Sequence, residues 1–218
     1  MTNLLPWSFS KLKAFEICPR QGYAKYISRE LPYVETEAQH KGNEFHKAME
    51  DRIKEGMPIL GEYAWAEDYV PRQVKPDDIL LAEVPLDLNV NGEPLPKGHA
   101  KHERWFTCKI DVLQIEDDDV CWLIDWKTGK PWEDSDQLNL YSVVVKAHYP
   151  HVRHWRGFYV WLREQRVGMV HTLSPGRAAH KLRERIERVD VSDTPKKNPL
   201  CPWCAVARCE NYTGGIGK

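Results

Sequence analysis

Three ionisable residues stand where an apolar segment has no packing reason to hold them. Asp111 interrupts the run Ile110, Val112, Leu113, Ile115, while Asp125 and Lys127 fall at the end of VCWLIDWK. Strand side chains repeat every two residues, so Asp125 and Lys127 share a face. A buried carboxylate is costly unless it is paired or bound to a metal. Two carboxylates converging with one lysine have a use: the acids hold a divalent cation of the magnesium type, which takes oxygen ligands. The lysine then orients or deprotonates a water, or offsets charge on a phosphate oxygen. The plainer alternative is two strand-end aspartates, one salt-bridged to Lys127, and an Asp-x-Lys unit alone does not choose between them.

The elements around these residues follow from pattern. Residues 110–115 and 120–126 read as strands joined by the acidic turn Glu116-Asp117-Asp118-Asp119. Thr128-Gly129-Lys130-Pro131 breaks the chain, and a helix is expected to begin near Glu133 and to run on from Ser135 to Ala147. Gln137 and Tyr141 are i and i+4 on it and share a face. Upstream, residues 8–27 read as a helix capped by Ser8 or Ser10 and broken at Cys18-Pro19. Ala38–Glu55 is a second helix with Phe45, Ala48, Met49 and Ile53 on one side and His46 on or near it; a lone histidine there is usually a satisfied core residue. Residues 56–78 form a connecting segment against the core. Ile79–Val90 is a strand closed by an Asn91-Gly92 turn. Its Glu83 lies either near the metal residues or on the surface.

Pro94–Arg104 is a polar loop in which His99 and His102 are expected to be solvated. Downstream, Trp155–Trp161 and Val167–Leu173 read as a hairpin, followed by a helix with Ser174 as cap and Pro175 in its first turn. That helix carries Arg177, Lys181, Arg183, Arg185 and Arg188. With Arg153, Arg156 and Arg163 these are expected to line a phosphate track.

At 218 residues, 42% apolar and 29% charged, the chain suits one domain spanning residues 1–218 with a real core. No apolar run matches a membrane span, and no basic-then-apolar leader opens the sequence; a cytoplasmic protein without signal peptide or anchor is expected. The net charge of −1 hides an asymmetry: residues 1–150 hold 18 Lys+Arg against 26 Asp+Glu, and residues 151–218 hold 13 against 6. Such a split hints at polyanion contact, and equally describes a solvated basic helix.

Six cysteines in such a chain are not expected as disulfides. Cys108 and Cys121 sit in strands as small core residues. Cys201, Cys204 and Cys209 form C-x2-C-x4-C, a density that points to a metal or cluster site. On spacing alone the fourth ligand is open and zinc is favoured; Cys18 alone reads as a buried thiol.

Taken together, Lys109-Ile110-Asp111, Asp125-Trp126-Lys127-Thr128-Gly129 and Gln137-x-x-x-Tyr141 resemble the PD-(D/E)xK nuclease superfamily, and most closely its RecB-type exonucleases, including CRISPR-associated and AddB-type domains. Lys109 stands where that pattern often has glycine. The resemblance implies an α/β, restriction-endonuclease-like fold, a mixed central sheet flanked by helices. It implies Mg²⁺ or Mn²⁺ held by His46 (in Gly42-x-x-x-His46), Asp111, Asp125 and the Trp126 carbonyl, with Lys127 catalytic and with Gln137 and Tyr141 toward the substrate backbone. The segment S-x-S-K-L…C-P-R, with the terminal cysteines, resembles members that carry an iron–sulfur cluster. That implies a 4Fe-4S cluster on Cys18, Cys201, Cys204 and Cys209, formed by residues 1–30 and 195–212, with Zn²⁺ as the alternative. The implied substrate is DNA, single-stranded or frayed, and the implied partner a helicase or a CRISPR-adaptation complex in a bacterial, archaeal or phage setting.

Overall fold

The computed structural model describes residues 6–31, 35–72, 75–132, 134–206 and 208–212. The chain divides into two compact units. One comprises Met1–Pro6 and Glu35–Ala179; the other joins Trp7–Val34 to His180–Lys218. No helix among the described residues is long and apolar enough to cross a membrane.

The larger unit is built on a mixed sheet. Its strands are β1 (Ile79–Leu88), β2 (Phe106–Glu116), β3 (Val120–Lys127), β4 (His154–Trp161), β5 (Arg166–Val167) and β6 (His171–Thr172). The order is β1-β2-β3-β4-β5, with β6 also on β4. Among the described residues only β3 and β4 run parallel, and helix α4 (Asp136–His148) makes the crossover between them, as a parallel pair requires. Strand alternation sends Val112, Ile124, Trp126 and Val160 to one face, where they pack with Phe45 and Met49 of helix α3 (Glu37–Glu55). Asp125 and Lys127 point the other way, toward α4. The connecting segment lies on the α3 face as expected, in part as a 3₁₀ helix, Gly61–Tyr69, with Ile59, Ala66 and Val70 in the same core.

Local chemistry fixes the ends of α3. Thr36 Oγ1 accepts from the Gln39 N–H while the Gln39 side chain accepts from the Thr36 N–H, a reciprocal cap. Gly56 ends the helix at φ 71°, a left-handed conformation that glycine adopts without steric cost.

The smaller unit holds helices α1 (Phe9–Ile17) and α2 (Pro19–Tyr26), split at Cys18-Pro19 as the sequence anticipates, with Ser8 Oγ capping α1. Its two segments are tied together: Arg20 N–H donates to the Thr194 carbonyl, and the Arg20 side chain pairs with Asp193 at 2.7 Å and Glu30 at 2.5 Å. Helix α5 (Pro175–Arg188) runs across the boundary between the units.

Some expectations need correction. Strand β2 begins at Phe106, four residues before the apolar run suggested. The second arm of the late hairpin is split into β5 and β6, because the chain leaves the ladder at Gly168–Val170. Helix α4 begins at Asp136, and Glu133 lies outside the described residues. His99 is not solvated: its side chain is 8% exposed, with Nε2 3.1 Å from Asp87 Oδ2 and accepting from Arg104 Nε at 2.9 Å. A buried carboxylate, Asp87, draws the loop inward to satisfy itself.

Phe45 is fully buried against Trp126, Tyr63 and Trp65. Phe45→Ala is expected to cost about 3–5 kcal/mol, read as a lowered urea midpoint; a loss under about 1 kcal/mol would remove α3 from the core.

Candidate metal centre

The sheet comes apart at one place. The β1–β2 ladder runs from Ile79↔Ile115 to Ala82↔Val112, skips Glu83 and Asp111, and resumes at Val84↔Ile110. The β2–β3 ladder ends at Val112↔Ile124, one residue short of Asp111 and Asp125, while β3 stays paired to β4 through Lys127↔Trp161. Into this fork Asp111 turns its carboxylate, and Oδ2 accepts the Trp126 N–H at 2.8 Å, taking the place of a ladder partner. Glu83 has φ 56°, a left-handed conformation costing a non-glycine residue roughly 1–2 kcal/mol. Its side chain is only 8% exposed. Strain of this kind concentrates at functional sites.

His46 arrives from α3, held by the burial of its neighbour Phe45. Its Nδ1 lies 2.8 Å from Glu83 Oε1 and 3.6 Å from Asp111 Oδ1. One ligand atom from each of His46, Glu83 and Asp111 fits within 4.8 Å of the others. Gly42 allows α3 to lie this close: a Cβ there would stand 3.0 Å from Thr128 Cγ2, next to Lys127. Lys109 pairs with the outer oxygen of Glu83.

Beside this group, Asp125 is buried, and Gln137 Nε2 donates to its Oδ1 at 2.8 Å and to the Tyr141 hydroxyl at 2.9 Å. Lys127 Nζ donates to Gln137 Oε1 at 2.8 Å. It also lies 2.5 Å from Asp125 Oδ2, an ion pair too far out of line to be a directed hydrogen bond, so that oxygen keeps a lone pair unengaged. The amide of Gln137 thus joins the acid and the base: its oxygen takes the ammonium and its nitrogen the carboxylate.

This sequence matches the PD-(D/E)XK nuclease superfamily over residues 6–209. The chain belongs to that superfamily. Among solved structures, SSO0001 is similar at 15% identity over 94% of this chain and 84% of its own, with a TM-score of 0.48. No curated protein matches.

Nucleases of this superfamily use divalent metals, and the donor set here fits one. Burial, and after it the nearby Asp125, pushes the Asp111 carboxyl up to about 8. Burial raises Asp125 as well, against the pull of Lys127. Burial acts to lower the pKa of His46, but its hydrogen bond to Glu83 and the charges of Asp111, Glu83 and Asp125 outweigh it and hold it above the usual value. Glu83 is lowered, burial being overcome by His46 and Lys109. Without a metal, then, protons supply the positive charge that this group of carboxylates requires. Oxygen ligands with one imidazole suit Mg²⁺ or Mn²⁺.

The other sequence-predicted residues fall in the smaller unit. Cys18, Cys201, Cys204 and Cys209 line a single small pocket. Lys196 N–H donates to Cys18 Sγ at 3.4 Å and Asn198 N–H to Cys201 Sγ at 3.3 Å. Burial raises the Cys204 thiol, and the other three cysteines add to the shift. Among the described residues, no three of these sulfurs lie within 4.8 Å of one another. Cys108 and Cys121 are buried strand residues, as expected.

Of the two places the sequence left open for Glu83, the structure has the one beside His46 and Asp111; the signal was an acid at the centre of the apolar strand ILLAEVPLDL. One feature differs from the sequence reading. The proposed phosphate track loses members to ion pairs: Arg153 pairs with Asp119 at 2.7 Å and Arg185 with Glu16 at 2.7 Å, and Arg156 lies over Trp122.

The raised carboxyls set a pH dependence. A group with folded pKa above its unfolded value stabilises fully below the unfolded value and loses that stabilisation as pH rises through the folded one. For Asp111 the window is from about 4 to about 8, and His46 acts in the same sense. Metal-free protein is therefore expected to lose Tm as pH rises from about 4 to about 8. Mn²⁺ should restore more at pH 8.5 than at pH 6, releasing protons as it binds. An increment in Tm independent of pH would exclude these residues as the ligands.

Proposed function

We propose that this chain is a deoxyribonuclease that hydrolyses phosphodiester bonds with Mg²⁺ or Mn²⁺, acting as an exonuclease on single strands or frayed ends. The observation that carries the reading is the convergence of His46, Glu83, Asp111 and Asp125 with Lys127 where the two ladders part.

His46, Glu83, Asp111 and Asp125, with the Trp126 carbonyl, would hold the ion. When bound, a divalent ion polarises the phosphate and lowers the pKa of water. Lys127, an ammonium that donates to Gln137, serves as a donor: it orients the attacking water and offsets charge gathering on the phosphate oxygens. Water oxygen adds to phosphorus as the P–O bond to the leaving sugar oxygen breaks. Gln137 bonds both members of the Asp125–Lys127 pair and so aligns them, and Tyr141 fixes Gln137. From this position the pair also meets the substrate backbone.

The smaller unit we read as a 4Fe-4S site on Cys18, Cys201, Cys204 and Cys209. The four cysteines line one pocket, and backbone N–H groups donate to two of their sulfurs, as they do around a cluster; a single Zn²⁺ on the same sulfurs is the alternative. Recombination, repair or CRISPR-type DNA processing beside a helicase or integration complex in the cytoplasm is the setting this reading supports.

Anaerobically purified protein is expected to degrade end-labelled single-stranded DNA with Mn²⁺ or Mg²⁺ and not in EDTA. Asp125→Asn should abolish cleavage, and Lys127→Ala should slow it roughly 10²–10³-fold. Cleavage at the wild-type rate by either folded variant would overturn the assignment. Iron and acid-labile sulfide should accompany a brown colour that Cys18→Ala loses; stoichiometric zinc in a colourless protein would replace the cluster.

A further inference from the structure

A cavity of about 420 Å³ opens on the larger unit beside the metal centre, and the site described above does not use it. Tyr63 and Trp65 form its aromatic wall, Lys41 and Arg163 supply cations, and Glu62 and Gln165 supply polar edges. Thr128, the residue after Lys127, closes the side nearest the proposed chemistry. Lys41 lies five residues before His46 on α3, about 140° around the helix from it.

The aromatic wall is rigid. Phe45, fully buried, backs both rings: it meets Tyr63 edge-on at 5.1 Å and lies nearly parallel to Trp65 at 6.2 Å. The Tyr63 hydroxyl donates to the Lys41 carbonyl at 3.2 Å. Both rings are half-buried, so each keeps open surface. Arg163 is exposed and makes no ion pair among the described residues, while Lys41 has one contact, with exposed Glu37 at 3.6 Å. Fixed aromatic surface, an uncommitted guanidinium and groups able to pair with a base edge are the means by which unpaired nucleotides are held.

Resting on the nuclease reading, we infer that this cavity is a subsite for one unpaired nucleobase and its phosphate, on the strand that Thr128 brings past Lys127. Tyr63 stacks the base and Trp65, set steeply to it by their shared contact with Phe45, bounds its edge, Arg163 and Lys41 meet the phosphate, and Glu62 and Gln165 contact the base edge. A paired base has its faces covered by neighbours and cannot enter. The subsite therefore makes single-stranded DNA the substrate class.

The test measures binding of a labelled dT octamer and of an abasic octamer with the same backbone, to the full-length protein in EDTA, where the metal centre is empty. The dT strand is expected to bind at least about tenfold tighter, within the range that aromatic stacking gives per base. Arg163→Ala should weaken both strands several-fold, and Tyr63→Leu should narrow the gap between them. Equal affinity for the two strands overturns the proposal, as does full dT preference in both variants at wild-type Tm. Because Tyr63 touches the core, Arg163→Ala serves as the arm that does not threaten folding. Cleavage with Mn²⁺ is scored separately. Base-dependent binding without cleavage would keep the subsite and remove the nuclease reading; cleavage without base-dependent binding would do the reverse.

Discussion

Carboxylates that cannot all be ionised at once govern the larger unit. Asp111 and Asp125 sit at the end of a shared ladder, Glu83 lies across from Asp111, and each is largely removed from water. Like charges so placed repel strongly in a medium of low dielectric. The structure accommodates them by local means: the Trp126 N–H on Asp111, the imidazole and Lys109 on Glu83, and the amide and ammonium on Asp125. These partners come from four elements, α3, β2, β3 and α4, so the helices and strands around the fork are held in place by electrostatic need as well as by apolar packing.

The two faces of the sheet divide the work. The α3 face is apolar and aromatic, and it fixes His46 through Phe45 and Met49. The α4 face brings Gln137 in among Leu138, Leu140, Val144 and Val145, and that residue reaches both Asp125 and Lys127. Separating anchoring from alignment in this way lets the core be packed tightly without disturbing the reacting groups. The interruption of both ladders at Asp111 is what lets groups from the two faces meet.

Much of this was legible in the sequence. The paired strands around Asp111 and Asp125, the break at Cys18-Pro19 and the Gln137–Tyr141 face are local patterns, and period and turn chemistry report them directly. Glu83 was ambiguous because its place depends on a left-handed backbone angle that no alternation encodes; regular pleating would have turned it toward the exposed side with Leu81. His99 was misread for a similar reason, since the acid that captures it, Asp87, lies in another element. The arginines looked available because a basic helix shows its charges in sequence but not the acids that fold against them. Long-range polar pairing was the part that pattern could not convey.

The smaller unit takes its residues from both ends of the chain, with residues 35–179 between them. This has a consequence for synthesis. Cys18 leaves the ribosome early, and Cys201, the next member of its group, follows 183 residues later. At about 5–20 residues per second, the first thiol waits roughly 10–40 s for its partners. Throughout that interval the whole sheet and the metal-ligand residues can already be in place. The sheet and the His46–Glu83–Asp111 group can therefore form first, and the thiol pocket closes only once Cys201, Cys204 and Cys209 have been made.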